Sequence, residues 1–243
     1  MRRATRSKMV GNAPSERTKR APDEEIAEAL ESDIIFGRLK PGERLREEAL
    51  LERFGHSRHF IRLAFARLEK KGILVHTRNV GAAVRAFTIA EVEEAYDVRE
   101  LVQRQAALRI RLPASPDDIA RIAALQRDYA ACVKAGDLRG IHACNDSFHL
   151  AIFALCDNSH LLALVKQYMD LTYVIRTNTF SDPKALEASR RQHELMIEQL
   201  RGRDNWALAE LCVQHLRPNK DKYLSRLREA EELAARAHGS AAE

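Results

Sequence analysis

Three short runs and a tight turn decide the fold: Gly37-Arg38-Leu39-Lys40-Pro41-Gly42-Glu43-Arg44-Leu45, then Phe54-Gly55-His56-Ser57-Arg58, then Gly72-Ile73-Leu74-Val75 with Asn79-Val80-Gly81-Ala82-Ala83-Val84. Pro41-Gly42 is a turn pair. Ser57 stands where it can cap a helix whose first turn is basic. Gly72 stops that helix. The apolar runs Ile73 to Val75 and Ala82 to Val84 flank a tight turn at Asn79 to Gly81, which reads as a small β-hairpin. Upstream, Ile26, Leu30 and Ile34 recur four apart on one helix face. Glu47 to Phe54 makes a short second helix. Ser57 to Lys71 makes a third, with Ile61, Ala64, Phe65 and Leu68 on its apolar stripe. Helix, turn, helix and hairpin make a winged helix-turn-helix over residues 22–86, a module suited to laying a helix in a DNA groove.

Outside this module the character of the chain changes. Residues 1–21 read as a disordered basic tail; the first twenty-two residues hold seven Lys or Arg against one Glu. Such a tail adds non-specific attraction to phosphates without reading bases. From residue 90 strand signals vanish. Helical spans are expected at 90–111, 116–134, 138–156, 158–180, 183–202 and 204–234, punctuated by Pro113, Ser115-Pro116, Gly136-Asp137, Asn158, Pro183 and Gly202. Short connections between six helices predict an antiparallel bundle over 90–234, followed by a disordered tail over 235–243. The expected fold is therefore mainly α: an N-terminal winged helix-turn-helix and an all-α six-helix bundle.

Cys132, Cys144, Cys156 and Cys212 form no Cys-x-x-Cys pair and fall within helical patterns. They read as small core residues in a reducing compartment. No run is apolar and long enough for a signal peptide or a membrane span, so the expectation is a cytoplasmic protein with no membrane partner.

The third helix is the candidate recognition helix. With its apolar stripe turned to the core, Arg58, His59, Arg62 and Phe60 face outward. Arg can bridge guanine O6 and N7 or clamp phosphate, and Ser57 at the helix N-terminus can bond a phosphate.

In the bundle, three histidines lie on apolar stripes of three different helices: His149 with Ile141, Phe148 and Ile152; His193 with Met196, Ile197 and Leu200; His215 with Leu208, Leu211 and Cys212. One such histidine is ordinarily a hydrogen-bonded core residue. Three in one bundle point to a divalent metal, because bundle interiors are where metal sites are built. Imidazole suits Zn, Ni, Mn or Fe, so the ligands do not name the ion. Arg99 shares a face with Tyr96, Val92 and Val102. An inward Arg needs an anion, either a buried acid or a carboxylate effector held bidentately. Tyr173, Arg176 and Asn178 are candidates to line the same effector cavity.

The ordered positions from Gly37 to Val84 resemble the GntR family of bacterial transcription regulators. With the helical half, the chain resembles the FadR-type branch, whose C-terminal bundle is the FCD domain, in the variety similar to the VanR-like group. The resemblance implies DNA contacts at Ser57, Arg58, His59, Phe60 and Arg62 and at the wing near Gly81. It implies a metal held by an Asp or Asn four residues before a His, plus two later His. Here these are Asn145 and His149 in Asn145-Asp146-Ser147-Phe148-His149, then His193 and His215. It also implies a ligand role for Arg99 in Tyr96-Asp97-Val98-Arg99. The chain departs from the family pattern at His59-Phe60-Ile61, at Leu63 and Gln103 where relatives carry Glu, and at Glu48 where some carry Arg. The first metal ligand is the neutral Asn145 where Asp is common.

The function expected from these readings is a ligand-responsive transcription regulator: a homodimer on double-stranded operator DNA, a repressor released by a small organic acid bound with a divalent metal. The alternatives are a metal-dependent enzyme built on the bundle, which lacks an evident general base beside the histidines, and a purely architectural DNA binder, whose bundle would be drier.

Overall fold

The computed structural model of the chain describes residues 21–77, 81–177, 179 and 182–239. Helices α1 (Pro22–Ile35), α2 (Glu47–Phe54) and α3 (Arg58–Lys70) come first, then strands β1 (Leu74–Thr77) and β2 (Gly81–Val84). The strands pair antiparallel, Leu74 opposite Val84 and Thr77 opposite Gly81. The expected turn residues Asn79 and Val80, and the basic tail through Arg20, lie outside the described residues. The Pro41-Gly42 segment does more than turn. Gly42, at φ +81°, lets the chain double back so that the Leu45 N–H donates to the Ala82 carbonyl and the Val84 N–H to the Glu43 carbonyl, both at 2.9 Å. This pairing covers the outer edge of β2, which would otherwise stand open. Ile26, Leu30, Ile61, Leu68, Ile73 and Val84 are buried at the centre of the module. Each such side chain contributes roughly 1.5–3 kcal/mol on full burial.

The helical half follows as α4 (Ile89–Arg109), α5 (Pro116–Ala135), α6 (Leu138–Ala154), α7 (Ser159–Leu171), α8 (Tyr173–Thr177), α9 (Pro183–Arg201), α10 (Asn205–Gln214) and α11 (Arg217–Gly239). Thr88, Ser115, Asp137, Asn158, Asp182 and Asp204 each accept a first-turn backbone N–H and start a helix. Two of the six expected spans are broken. The span 158–180 breaks at Thr172, whose hydroxyl donates to the Tyr168 carbonyl at 2.7 Å and competes with the helix's own ladder. The span 204–234 breaks at His215 and Leu216. Pro218 has no N–H to give, and its ring crowds the carbonyl four residues back. The last helix also runs on to Gly239, so the tail expected from residue 235 begins as helix.

Phe148, Ile152, Val165, Met196, Leu200 and Leu208 form the bundle core. Cys156 and Cys212 are buried in it, whereas Cys132 and Cys144 are half-buried free thiols whose sulfurs, 3.7 Å apart, share an S–H hydrogen bond. Among the described residues no helix is long and apolar enough to cross a membrane. The two halves are joined by more than the chain. Tyr173 and Val174 of α8 pack into the core of the winged module. Gly72, at φ +69°, brings the end of α3 against the end of α7: a Cβ there would stand 3.2 Å from the Asp170 carbonyl oxygen and 3.4 Å from Leu171 Cα.

Candidate DNA interface and metal centre

The stripe Ile61, Ala64, Phe65 and Leu68 is buried, so α3 presents its other side outward. Ser57, Arg58, His59 and Arg62 are exposed there. The two arginines are not idle. Arg62 Nε donates to Glu47 Oε1 at 2.9 Å, and Arg58 Nη1 reaches Glu47 Oε2 and Glu48 Oε1 at 3.3 Å each. These hydrogen bonds, Arg62's first, hold the Glu47 carboxyl below its ordinary value. Two expectations need correcting. Ser57 occupies the N-cap position, but its hydroxyl caps no N–H; the Phe60 and Ile61 N–H groups take the Ser57 carbonyl instead. Phe60 is half-buried against the module's core and beside the His56 and His59 rings, so it packs rather than stands free. Gly81 opens β2 at φ +92°, a conformation that favours glycine.

α6, α9 and α10 bring His149, His193 and His215 together. His149 Nε2 lies 3.1 Å and His193 Nε2 3.3 Å from His215 Nε2, and one nitrogen of each ring falls within 4.8 Å of the others. All three rings are buried. Burial, then the charge of Arg99, pushes His215 down to about 3; burial first, and then the crowding of the other imidazoles of the cluster, pushes His149 and His193 well below the usual imidazole value. The rings are therefore neutral at pH 7. Their tautomers are set from outside. His193 Nδ1 faces the Gln126 side-chain oxygen at 2.9 Å, and His215 Nδ1 faces that of Gln192 at 2.6 Å. A carbonyl oxygen requires an N–H opposite, so both Nδ1 atoms carry the proton and both Nε2 lone pairs point inward. Facing lone pairs 3.3 Å apart repel, and a cation between them removes the repulsion. The donor set fits a divalent metal held by neutral imidazoles with amide partners behind them. Neither Gln126 nor Gln192 was singled out from the sequence; their signal, a glutamine on the inward face of a helix, is legible only once the helices are packed.

Asn145 is buried and lines the same cavity as His149, His215, Arg99 and Arg176. Its side-chain N–H donates to Asp146 at 3.4 Å. The cavity holds about 60 Å³ of water-accessible space, room for an ion and a few small groups.

Arg99 is 3% exposed, and burial lowers its guanidinium to about 10. Its Nη1 donates to Thr172 Oγ1 at 3.1 Å and to the Tyr96 hydroxyl at 3.5 Å, while its Nε has no partner. Among the described residues no carboxylate forms an ion pair with it, so the buried-acid alternative finds no partner here. Tyr96 does not line the cavity. It lies behind Arg99, its ring 5.4 Å from the guanidinium carbon. Tyr173, expected in this cavity, sits instead at the junction with the winged module, where its hydroxyl donates to Glu31 Oε1 at 2.7 Å. Arg176 lines the cavity but gives its guanidinium to Asp146 at 2.5 and 3.2 Å and to the Met169 carbonyl. Burial alone would raise the Asp146 carboxyl; Arg176, then His142, takes it down to about 2. Asn178 lies outside the described residues. A larger cleft of about 590 Å³ opens between the two halves, with Glu31, Lys71, His142, Asp146 and Tyr173 on its walls.

Two family models match separate stretches of the chain. Residues 22–84 match the family of bacterial regulatory proteins described as the gntR family, and residues 94–218 match the FCD domain. The HTH-type transcriptional regulator YdhC of Bacillus subtilis is 27% identical over 190 residues, 76% of this chain and 84% of its own. The HTH-type transcriptional repressor RspR of Escherichia coli is 22% identical over 194 residues, 80% of this chain and 85% of its own. Among solved structures, E. coli McbR/YncC superposes with a TM-score of 0.62 at 21% identity, over 87% of this chain and 99% of that one. A GntR regulator from Rhodococcus gives 0.60 at 21% identity, over 86% and 98%.

Proposed function

The chain belongs to the gntR family of bacterial regulatory proteins, its helical half an FCD domain, and we propose that this transcription regulator is a homodimeric, ligand-responsive repressor of the FadR-type branch. Its relatives are transcription regulators, not enzymes, which sets the metal-dependent enzyme aside. Arg58 and Arg62 read operator bases or phosphates once DNA displaces Glu47 and Glu48, with Ser57, His59 and the wing at Gly81 positioning α3. In the bundle, Asn145, His149, His193 and His215 hold a divalent ion, which supplies positive charge for a small carboxylate. Such a carboxylate would be drawn between that charge and the Arg99 guanidinium. The protein works in the cytoplasm. The observation that carries this reading is Arg99: a buried guanidinium with an unused N–H and, among the described residues, no acid of its own, in one cavity with His149 and His215. An architectural DNA binder has no use for such a group. An effector acts only if it prefers one arrangement of the two halves.

The test is a thermal-shift screen of small mono-, di- and hydroxycarboxylates, with and without Zn(II) or Ni(II). At least one acid should raise the midpoint only when metal is present and should release the protein from its selected DNA. No acid doing either would contradict the proposal.

A further inference from the structure

We infer that α8 couples the histidine cavity to the DNA-binding module, and that it does so through the hydrogen bond from Tyr173 to Glu31. The inference rests on the reading of the bundle as a metal- and anion-binding domain. A five-residue helix has little stability of its own, so its position is set by what it touches, and α8 touches both halves. Thr172, the break before it, receives a hydrogen bond from Arg99. Arg176, within it, lines the cavity. Tyr173 and Val174 are buried in the core of the winged module, and Ile175 packs with Tyr96 and Leu216.

A chain of polar contacts runs on from each end. Arg176 Nη2 lies 3.3 Å from His142 Nε2, and the His142 ring packs against the Tyr173 ring with centroids 4.3 Å apart. The Tyr173 hydroxyl donates to Glu31 Oε1 on α1, and Lys71 Nζ holds Glu31 Oε2 at 3.0 Å. Lys71 is the C-cap of α3. One carboxylate thus joins α8 to the end of the recognition helix. The junction is not packed solid: the 590 Å³ cleft flanks Tyr173, His142 and Glu31 and leaves room for a shift.

The two arginines answer a cation differently. A divalent ion among the imidazoles repels both guanidinium groups in a medium of low dielectric. Arg176 is anchored by Asp146. Among the described residues Arg99 is held by two hydroxyls and no carboxylate, so it moves, and Thr172 loses its donor at the start of α8. An anion that bridges the ion and Arg99 draws it back. Another polar tie between the halves, Arg139 to Glu28 at 3.1 Å, is partly exposed and bypasses α8.

The experiment is amide hydrogen exchange on the full chain, stripped of metal and then given Zn(II) alone, with Zn(II) affinity measured by calorimetry. In the wild type, Zn(II) should change exchange in α6, α9 and α10 and also in α1 and the end of α3, there by about 5-fold or more, the low end of ordinary coupling. In Tyr173→Phe, which removes one hydroxyl, the affinity and the bundle's response should persist while the change in α1 and α3 falls below about 2-fold, outside that coupling range. Glu31→Gln keeps an acceptor for the phenol but weakens the hold on Lys71; it should retain the α1 response and lose that of α3. Arg139→Ala should transmit normally. Full transmission in Tyr173→Phe, or a wild type whose response stops at the bundle, would overturn the coupling alone. No Zn(II) response anywhere would overturn the reading of the bundle and the coupling with it.

Discussion

Arg62 on the outward side of α3 donates to Glu47 on α2 at 2.9 Å, and Arg58 one turn earlier shares the same carboxylate. The basic end of the recognition helix therefore meets an intramolecular acid where DNA would bring phosphates. An exposed ion pair of this kind adds little to stability. Its consequence lies in competition, since on the proposed reading Glu47 and the DNA phosphates would draw on the same guanidinium groups.

Glu47→Gln should raise affinity for random-sequence duplex a few-fold and steepen its salt dependence by about one unit of slope, as one more cation becomes available to phosphate. Affinity measured against salt concentration checks this. Weaker binding by the variant would show that Glu47 aims the arginines instead of restraining them.

Arg58→Ala and Arg62→Ala should each weaken binding to the selected operator by about 5- to 100-fold if they contact bases. A loss that is uniform across sequences assigns the residue to phosphate. Unchanged affinity in both variants would remove α3 from the interface.

The fold was largely legible because its signals are local. Gly42, Gly55 and Gly72 mark turns by conformation, and Ser115, Asp137, Asn158, Asp182 and Asp204 start helices by capping. The break at Thr172 was not legible: a threonine inside an apolar periodic run carries no stop signal, and its hydroxyl ends the helix by a bond that any mid-helix threonine can make. Pro218 is a stop signal that the expected span 204–234 ran through. The histidines could be grouped from their helix faces, and the structure brings their nitrogens together. Tyr173 went astray because periodicity gives a face but not the neighbour that face meets. It points at the winged module, across a junction no single-helix pattern describes. Glu47 and Glu48, Gln126 and Gln192 became visible only when separate helices were set side by side.

Gln126→Leu and Gln192→Leu should each lower divalent-metal affinity by about 10- to 100-fold while the helical signal stays intact, because the imidazole behind each loses the acceptor that orients it. Competition with a chromophoric chelator reads the change. Wild-type affinity in both would mean that the rings are held by packing alone.

Arg99→Met should abolish the thermal shift produced by carboxylates and leave metal binding in place. Removing a buried charge that lacks an ionic partner should not destabilise the protein and can raise its midpoint. A normal carboxylate response in this variant would return Arg99 to a structural role.

The central claim, that the helical half is built around a metal, is tested most directly by elemental analysis of freshly purified wild-type protein beside His215→Ala, with circular dichroism to confirm that both are folded. The account predicts about one divalent ion per chain in the wild type, as one set of neutral imidazole donors implies, and loss of that ion in the variant. Folded wild-type protein without metal, even after supplementation with Zn(II), Ni(II) and Mn(II), would contradict it and leave the three histidines as core residues.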